Sequence, residues 1–187
     1  MTISKEQFDY ASSRITNLGG TQKILYEDYR VHEGLYDAVV SIEMLEAVGS
    51  KYWNEYFKSI KRFLKPGSSA LVQVITMHDE YFKTYNVDPD FIQTYIFPGG
   101  ELISDEVFFN CASTISLECK KVRSFGDSYA KTLELWNEEF QKRWDSVREL
   151  GFDIKFKRTW EMYYAYCIGG FLSDRLDVTQ FKLTCND

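Results

Sequence analysis

The stretch "YDAVVSIEMLE", Tyr36 to Glu46, decides the fold. Its first seven residues are largely apolar and of strand length. Such a run reads as a strand buried on both faces, the kind found in parallel sheets. Further on, "SALVQVIT" at 69–76 is a second run of this kind. Between them Trp53, Tyr56, Ile60 and Leu64 recur at helical spacing, and Pro66-Gly67 reads as the stop. Strand, helix, strand is the unit of a parallel α/β sheet. In such sheets ligands bind beyond the carboxyl ends of the strands. Glu43 and Glu46 fall there.

Upstream, Ser4 suits a helix N-cap and Gln7 sits three residues on, as in a capping box. Phe8, Ala11, Ile15 and Leu18 continue the helix, Gly19-Gly20 ends it, and Lys23 to Tyr26 reads as a short strand. Downstream, 87–104 carries a short helix and a turn at Pro98-Gly99-Gly100. "CKKVRSF" at 119–125 reads as a strand. A helix is expected over 129–150, with Leu133, Trp136, Phe140, Trp144 and Val147 in one stripe and Gly151 as its cap. Another runs from about 156 to 171, with Trp160, Tyr164, Cys167 and Phe171 on one face. "DVTQFKLT" closes the chain as a strand. No repeat or linker interrupts the 187 residues, so one domain is expected.

The net charge of −6 argues against binding along a phosphate backbone, which needs a basic footprint. No Lys/Arg run marks a polybasic membrane anchor, and no apolar run is long enough to span a bilayer. Cys111, Cys119, Cys167 and Cys185 lack metal spacing and read as free thiols. His32 and His78 are too isolated to suggest zinc. Aromatic residues make up 17% of the chain, enough both to fill a core and to line a pocket for greasy or cationic ligands. Gln73 lies inside an apolar strand, where an amide needs partners. A neighbouring loop could supply them, and a carboxylate after a strand is often only a cap. By default Cys167 is a buried thiol and Tyr129 a packing residue.

Taken together, "TISKEQ", "EDYR", "YDAVVSIEMLEAVG", "FLKPG", "LVQVIT", "DFIQTYIFPGG", "SYAKTLELW" and "WEMYYAYCIGGF" resemble one family in order and spacing. It is that of the cyclopropane-fatty-acyl-phospholipid and mycolic acid cyclopropane synthases, which are S-adenosylmethionine-dependent methyltransferases. The resemblance implies a Rossmann-like α/β sheet with helical lid insertions between its later strands. It implies methyl or methylene transfer to the double bond of an unsaturated phospholipid acyl chain. Thr2 and Gln7 match the pair that contacts the cofactor ribose, and Asp28 and Tyr29 match the segment near the adenine. Glu46 matches the glutamate that holds a bicarbonate ion, the family's proposed base. Ile75 and Tyr129 match its neighbours, and Gln73 stands where many members have His. Cys167 matches an active-site cysteine. Ala47 and Ser128 also replace histidines, which leaves the bicarbonate ligation changed. Tyr129, Tyr164 and Tyr166 are candidates to face a cationic intermediate.

The family's glycine-rich cofactor loop precedes the segment matched by "TISKEQ", and here only Met1 stands before Thr2. The expectation is therefore a sheet truncated at its N-terminus. In it 1–35 is a remnant of the cofactor-binding half, and 36–187 holds the later strands and the acyl region. A gene fragment, one piece of a split protein or homo-oligomer, and a degenerate copy are the explanations, in that order. The other functional readings are a small-molecule N- or C-methyltransferase and a non-catalytic partner of a full-length paralogue. A cytoplasmic protein in peripheral contact with a membrane is expected, without nucleic-acid or metal partners. With the loop absent, calorimetric titration of the chain with S-adenosylmethionine is expected to show weak or no binding; tight binding would refute the role given to the loop.

Overall fold

The computed structural model of the chain describes residues 1–85 and 89–186. Helix α1 (Lys5–Asn17) begins after Ser4, whose hydroxyl accepts from the Gln7 N–H at 3.3 Å. The reciprocal half of a capping box is not made. Gln7 Oε1 instead takes the Thr2 hydroxyl at 2.6 Å, and the Ser4 N–H donates to Thr2 Oγ1 at 3.1 Å. The strand expected at Lys23 to Tyr26 does not form, because its pairing is limited to a single parallel bridge of Tyr26 to Thr2, with the Leu25 carbonyl accepting the Thr2 N–H at 2.9 Å.

Strand β1 (Tyr36–Ile42), helix α2 (Trp53–Phe63) and strand β2 (Leu64–Met77) follow. The apolar stripe of α2 buries Trp53, Tyr56, Phe57, Ile60 and Phe63. Pro66-Gly67 does not separate α2 from a later strand, since β2 already starts at Leu64. The pair lies in a bulge, where the ladder jumps from Tyr36 opposite Leu64 to Ala38 opposite Ser69. Gly67 supplies the left-handed backbone there, at φ 74°.

Next come α3 (Asp79–Tyr85), α4 (Phe91–Tyr95), β3 (Ile103–Ser104), α5 (Asp105–Thr114) and β4 (Glu118–Ser124). The short helix expected in 87–104 is α4; Val87 and Asp88 lie outside the described residues. Helix α5 and the two-residue β3 go beyond the sequence reading, because "DEVFFNCAST" is poor in strong helix formers. The expected helix over 129–150 is two, α6 (Gly126–Lys142) and α7 (Trp144–Glu149), meeting at Arg143. Trp136 of its supposed stripe is half exposed. No Gly or Pro marks the break. Helix α8 (Ile154–Leu172) and strand β5 (Leu176–Thr184) complete the chain.

The sheet order is β1-β2-β5-β4, with β3 also on β2. β1 and β3 run parallel to β2, but β5 is antiparallel to both β2 and β4. The sheet is thus mixed, rather than wholly parallel. The cause is the tight turn after α8, with Asp174 at φ 55°, which enters β5 beside the end of β2. There the His78 N–H donates to the Arg175 carbonyl at 3.0 Å.

One face of the sheet is covered by α2 and α5. Val72, Val74, Phe181 and Leu183 are fully buried there, and Phe108 stacks on Phe181 with centroids 4.0 Å apart. The other face carries α6 and α8, packed through Ala130, Leu133, Tyr164 and Phe171 onto Val178 and Ile75. That second layer leaves β1 open. Val40 and Ile42 are 65% and 52% exposed, so β1 is not buried on both faces as its composition suggests. Its other side is sealed: Ser41 accepts the Tyr56 hydroxyl at 2.7 Å. Gly126 brings α6 against β5, its N–H donating to Asp177 Oδ1 at 2.8 Å. A Cβ there would sit 3.1–3.3 Å from Asp177 and the Leu176 carbonyl.

Because Phe181 is wholly buried against Phe108, Phe181→Ala is expected to cost about 3–5 kcal/mol. The measurement is the midpoint of urea unfolding, and a loss under about 1 kcal/mol would show that this face is not the stabilising core.

Candidate active site

β1 ends at Ile42, opposite Gln73 of β2. Beyond that point β2 has no parallel neighbour on this side until Thr76 meets Ile103 of β3. The Ile75 N–H therefore lacks a ladder partner. Glu46, on a single 3₁₀ turn (Leu45–Ala47), supplies one: its Oε1 accepts this N–H at 2.7 Å. Its Oε2 is buried and has no hydrogen-bond partner among the described residues. Burial pushes the Glu46 pKa up, the Ile75 bond opposes this, and the charge of Glu43 adds to the rise.

Glu43 is the first residue past β1. Its N–H still donates to the Gln73 carbonyl at 2.8 Å, while its φ of 49° turns the chain away from the strand. A non-glycine residue rarely holds that conformation, and here two side chains bond the carboxylate it presents, with a third bonded behind them. Gln73 Nε2 donates to Glu43 Oε1 at 2.8 Å, and the Tyr129 hydroxyl donates to Glu43 Oε2 at 2.7 Å. Gln180, directly opposite Gln73 in the register, donates from Nε2 to Gln73 Oε1 at 2.9 Å. The chain Gln180–Gln73–Glu43–Tyr129 is thus closed around one carboxylate. Burial and the bond to Glu43 both drive the Tyr129 pKa upward, so its phenol keeps its proton.

Glu43 and Glu46 stand in the wall of a cavity of about 990 Å³. Its lining is mostly apolar, with Ile92, Ile96, Phe97, Tyr163 and Leu176 among the contributors. Helices α4 and α8 meet across it, where the Tyr166 hydroxyl donates to Asp90 Oδ2 at 3.1 Å. Among the described residues the lining holds four carboxylates, Glu43, Glu46, Asp90 and Glu101, and one cation, Arg175. The Arg175 guanidinium lies 4.6 Å from the centre of the Tyr81 ring.

Of the residues singled out in the sequence, Glu43, Glu46, Ala47, Ile75 and Cys167 line this cavity. Tyr129 and Gln73 stand behind its wall, bonded to Glu43. Burial raises the Cys167 pKa to about 12, with the charge of Asp90 adding to it, so the thiol stays protonated at neutral pH. Among the aromatic candidates Tyr166 lines the cavity, whereas Tyr164 is buried in the α6–α8 core. Tyr163, not singled out, lines it instead, because its neighbour takes the inward position on α8. Glu43 is visible in sequence as a carboxylate after a strand, but nothing in the sequence shows the φ that turns it inward.

Thr2, Gln7, Asp28 and Tyr29 form a separate group. The Thr2 carbonyl accepts the Glu27 N–H at 3.0 Å, which brings the two segments side by side. Asp28 holds Arg30 at 2.6 Å, a bond that lowers its pKa. Tyr29 packs edge-on to Tyr56, and Arg62 fixes the loop by donating to the Arg30 carbonyl at 3.0 Å.

The resemblance assigns Glu46, Gln73, Ile75 and Tyr129 to a bicarbonate ion, Glu46 as acceptor from its protonated oxygen and the Gln73 amide, Ile75 N–H and Tyr129 hydroxyl as donors. Each of these three donors bonds to Glu43 or Glu46. A further anion would meet two carboxylates and no adjacent cation. The residues present do not fit bicarbonate.

A family model described as mycolic acid cyclopropane synthetase matches residues 1–181. A tuberculostearic acid methyltransferase of Mycobacterium tuberculosis is 39% identical over 186 residues, covering 98% of this chain and 44% of that protein. A cyclopropane-fatty-acyl-phospholipid synthase of Escherichia coli is 34% identical over 181 residues, covering 96% of this chain and 45% of that one. This chain therefore spans less than half the length of either relative. Among solved structures, a mycolic acid cyclopropane synthase complexed with SAH and CTAB superposes with a TM-score of 0.88 at 26% identity. It covers 98% of this chain and 68% of that one.

The raised Glu46 pKa carries a stability consequence. The folded chain holds this proton more tightly than the unfolded chain, so ionisation costs stability above the raised pKa and costs nothing below the ordinary carboxyl range. Glu46→Gln is accordingly expected to melt higher than the parent at neutral pH, the gap closing in acid. Thermal scans followed by circular dichroism at both pH values check this, and a variant that melts lower at neutral pH refutes it.

Proposed function

The chain belongs to the mycolic acid cyclopropane synthetase family, and from that premise we propose that it serves methyl or methylene transfer from S-adenosylmethionine to the double bond of an unsaturated phospholipid acyl chain. One observation carries the reading: an apolar cavity large enough for an acyl segment has carboxylates and aromatic rings in its wall, beside the carboxyl ends of β1 and β2. The apolar lining suits a hydrocarbon chain. Carboxylates and ring faces suit positive charge, first on a sulfonium and then on a cationic acyl chain.

In this reading 1–35 serves the cofactor side and 36–187 the acyl side of one domain. Thr2 and Gln7 would hold the cofactor ribose, and Asp28 and Tyr29 would lie by its adenine. When bound, S-adenosylmethionine supplies an electrophilic methyl to the alkene, leaving a cation on the acyl chain. Tyr163 and Tyr166 turn aromatic surface toward that cation, and α4 and α8, tied by Asp90 and Tyr166, exclude water that would quench it. Arg175, the one cation among the described lining residues, is offered to an anionic headgroup. Cys167 contributes shape, since a protonated thiol is a poor nucleophile.

Alone, the chain is expected to show weak or no activity, so the test is mass spectrometry of vesicles of monounsaturated phospholipid incubated with S-adenosylmethionine and the chain joined to an upstream βαβ unit that restores the glycine-rich loop. Acyl chains are expected to gain the mass of one CH₂, and saturated vesicles to gain nothing. Methylation of added amines without change in the lipid would instead establish a small-molecule methyltransferase. Cys167→Ala is expected to keep product formation within about threefold of the parent, as a packing role implies; loss of all product would give the cysteine a chemical role.

A further inference from the structure

The donor arrangement around Glu43 and Glu46 has a consequence for the proton step. In the proposed reaction the methyl carbon added to the alkene must lose one proton before a ring can close. An external base would need donors to hold it. The Gln73 amide donates to Glu43, the Tyr129 hydroxyl donates to Glu43, and the Ile75 N–H donates to Glu46. Gln73 is fixed in this orientation by Gln180, which donates to its Oε1 at 2.9 Å. The Glu43 carboxylate, covalently attached to the chain, thus takes two of the donors that a bound anion would need, and Glu46 takes the third.

Of the four carboxylate oxygens in this pair, three have partners. Glu43 Oε1 and Oε2 accept from Gln73 and Tyr129, and Glu46 Oε1 accepts from Ile75. Glu46 Oε2 alone is uncommitted, and it is shielded from water. Glu46 lines the cavity and the terminal torsion of a glutamate is soft, so a turn of its carboxylate that brings Oε2 to the cavity moves Oε1 with it and loosens the bond to the strand.

We propose that Glu46 is itself the base of this site, accepting the proton at Oε2, and that Glu43 is the positioning residue that makes bicarbonate unnecessary. The inference rests on the acyl-transfer reading above. In the step, a C–H bond of the added methyl breaks and its proton passes to Glu46 Oε2. The electron pair of that bond forms the carbon–carbon bond that closes the ring, quenching the cation. Once the product has left, the carboxylic acid loses its proton to water that enters the emptied cavity. Burial, which disfavours the charged carboxylate, makes Glu46 a stronger base than a solvated carboxylate.

The test has a binding arm and a turnover arm. In the first, ¹³C-labelled bicarbonate is titrated into the full chain and its NMR line width followed. No broadening is expected with the parent. Glu43→Gly keeps the left-handed backbone and frees the Gln73 and Tyr129 donors, so broadening is expected to appear in this variant. Broadening with the parent that Glu46→Gln abolishes would overturn the proposal, as would a Glu43→Gly variant no different from the parent. In the second arm, lipid product is measured with the chain joined to the upstream βαβ unit, in buffer freed of carbon dioxide and in buffer with added bicarbonate. Equal yields are expected, with Glu46→Gln lowering product at least about 100-fold and bicarbonate failing to rescue it. Stimulation of the parent by bicarbonate would overturn the proposal. If no lipid is modified under any condition, the acyl-transfer reading fails, and with it the proton step; the binding arm then still decides whether the site takes bicarbonate.

Discussion

The candidate site depends on one unpaired amide. β1 stops at Ile42 while β2 continues to Met77, so the Ile75 N–H has no strand to bond to. A buried backbone donor without a partner costs about 1–3 kcal/mol. Glu46 removes that cost by accepting it, and in doing so a long, flexible side chain becomes fixed at the carboxyl end of the sheet. The 3₁₀ turn that carries Glu46 is anchored on its far side as well, where the Glu46 carbonyl accepts the Glu101 N–H at 2.9 Å. Glu43 belongs to the same geometry. Its N–H makes the last bond of the β1–β2 ladder, and its left-handed φ starts the turn that brings Glu46 round.

Two acidic side chains so placed would repel each other and resist burial. The structure meets this differently for each. Glu43 is given an amide and a phenol as donors, and the cross-strand pair Gln73–Gln180 holds the amide the right way round. Glu46 receives one backbone donor only, and the remaining imbalance appears as its raised pKa. Neighbouring carboxylates in unlike environments are a common way to obtain unlike acid–base behaviour from one chemical group.

Much of this was legible in the sequence, and the gaps have physical causes. The apolar runs gave β1 and the heart of β2, because hydrophobic patterning follows burial. They overstated the burial of β1, since composition reports what a strand can bury and not which neighbours reach it. Direction was harder to read. A strand has the same alternation parallel or antiparallel, and only the turn at Asp174 makes β5 run against β2. Helix 129–150 carried no Gly or Pro at Arg143, so its break left no mark. Within the site, Glu46, Ile75 and Cys167 were identified through resemblance and do meet in one cavity. Tyr163 escaped because its role depends on helical phase, and Glu43, though seen as a carboxylate at the end of a strand, was given no role because that role depends on a backbone angle. The free donors implied for bicarbonate were an inference about residue types, and hydrogen bonds depend on who else is nearby.

The pairing of Gln73 with Gln180 ties the assembly of the sheet to the chemistry of the site. Strand side chains alternate between faces, so a slip of β5 by one residue would bring Thr179 or Phe181 opposite Gln73. The amide would then lose the partner that orients it, and Glu43 would lose a donor. The last strand of the chain is therefore a checkpoint. Only when it docks in the correct register does the acidic pair acquire its donors, so the completed site reports that the C-terminus has folded.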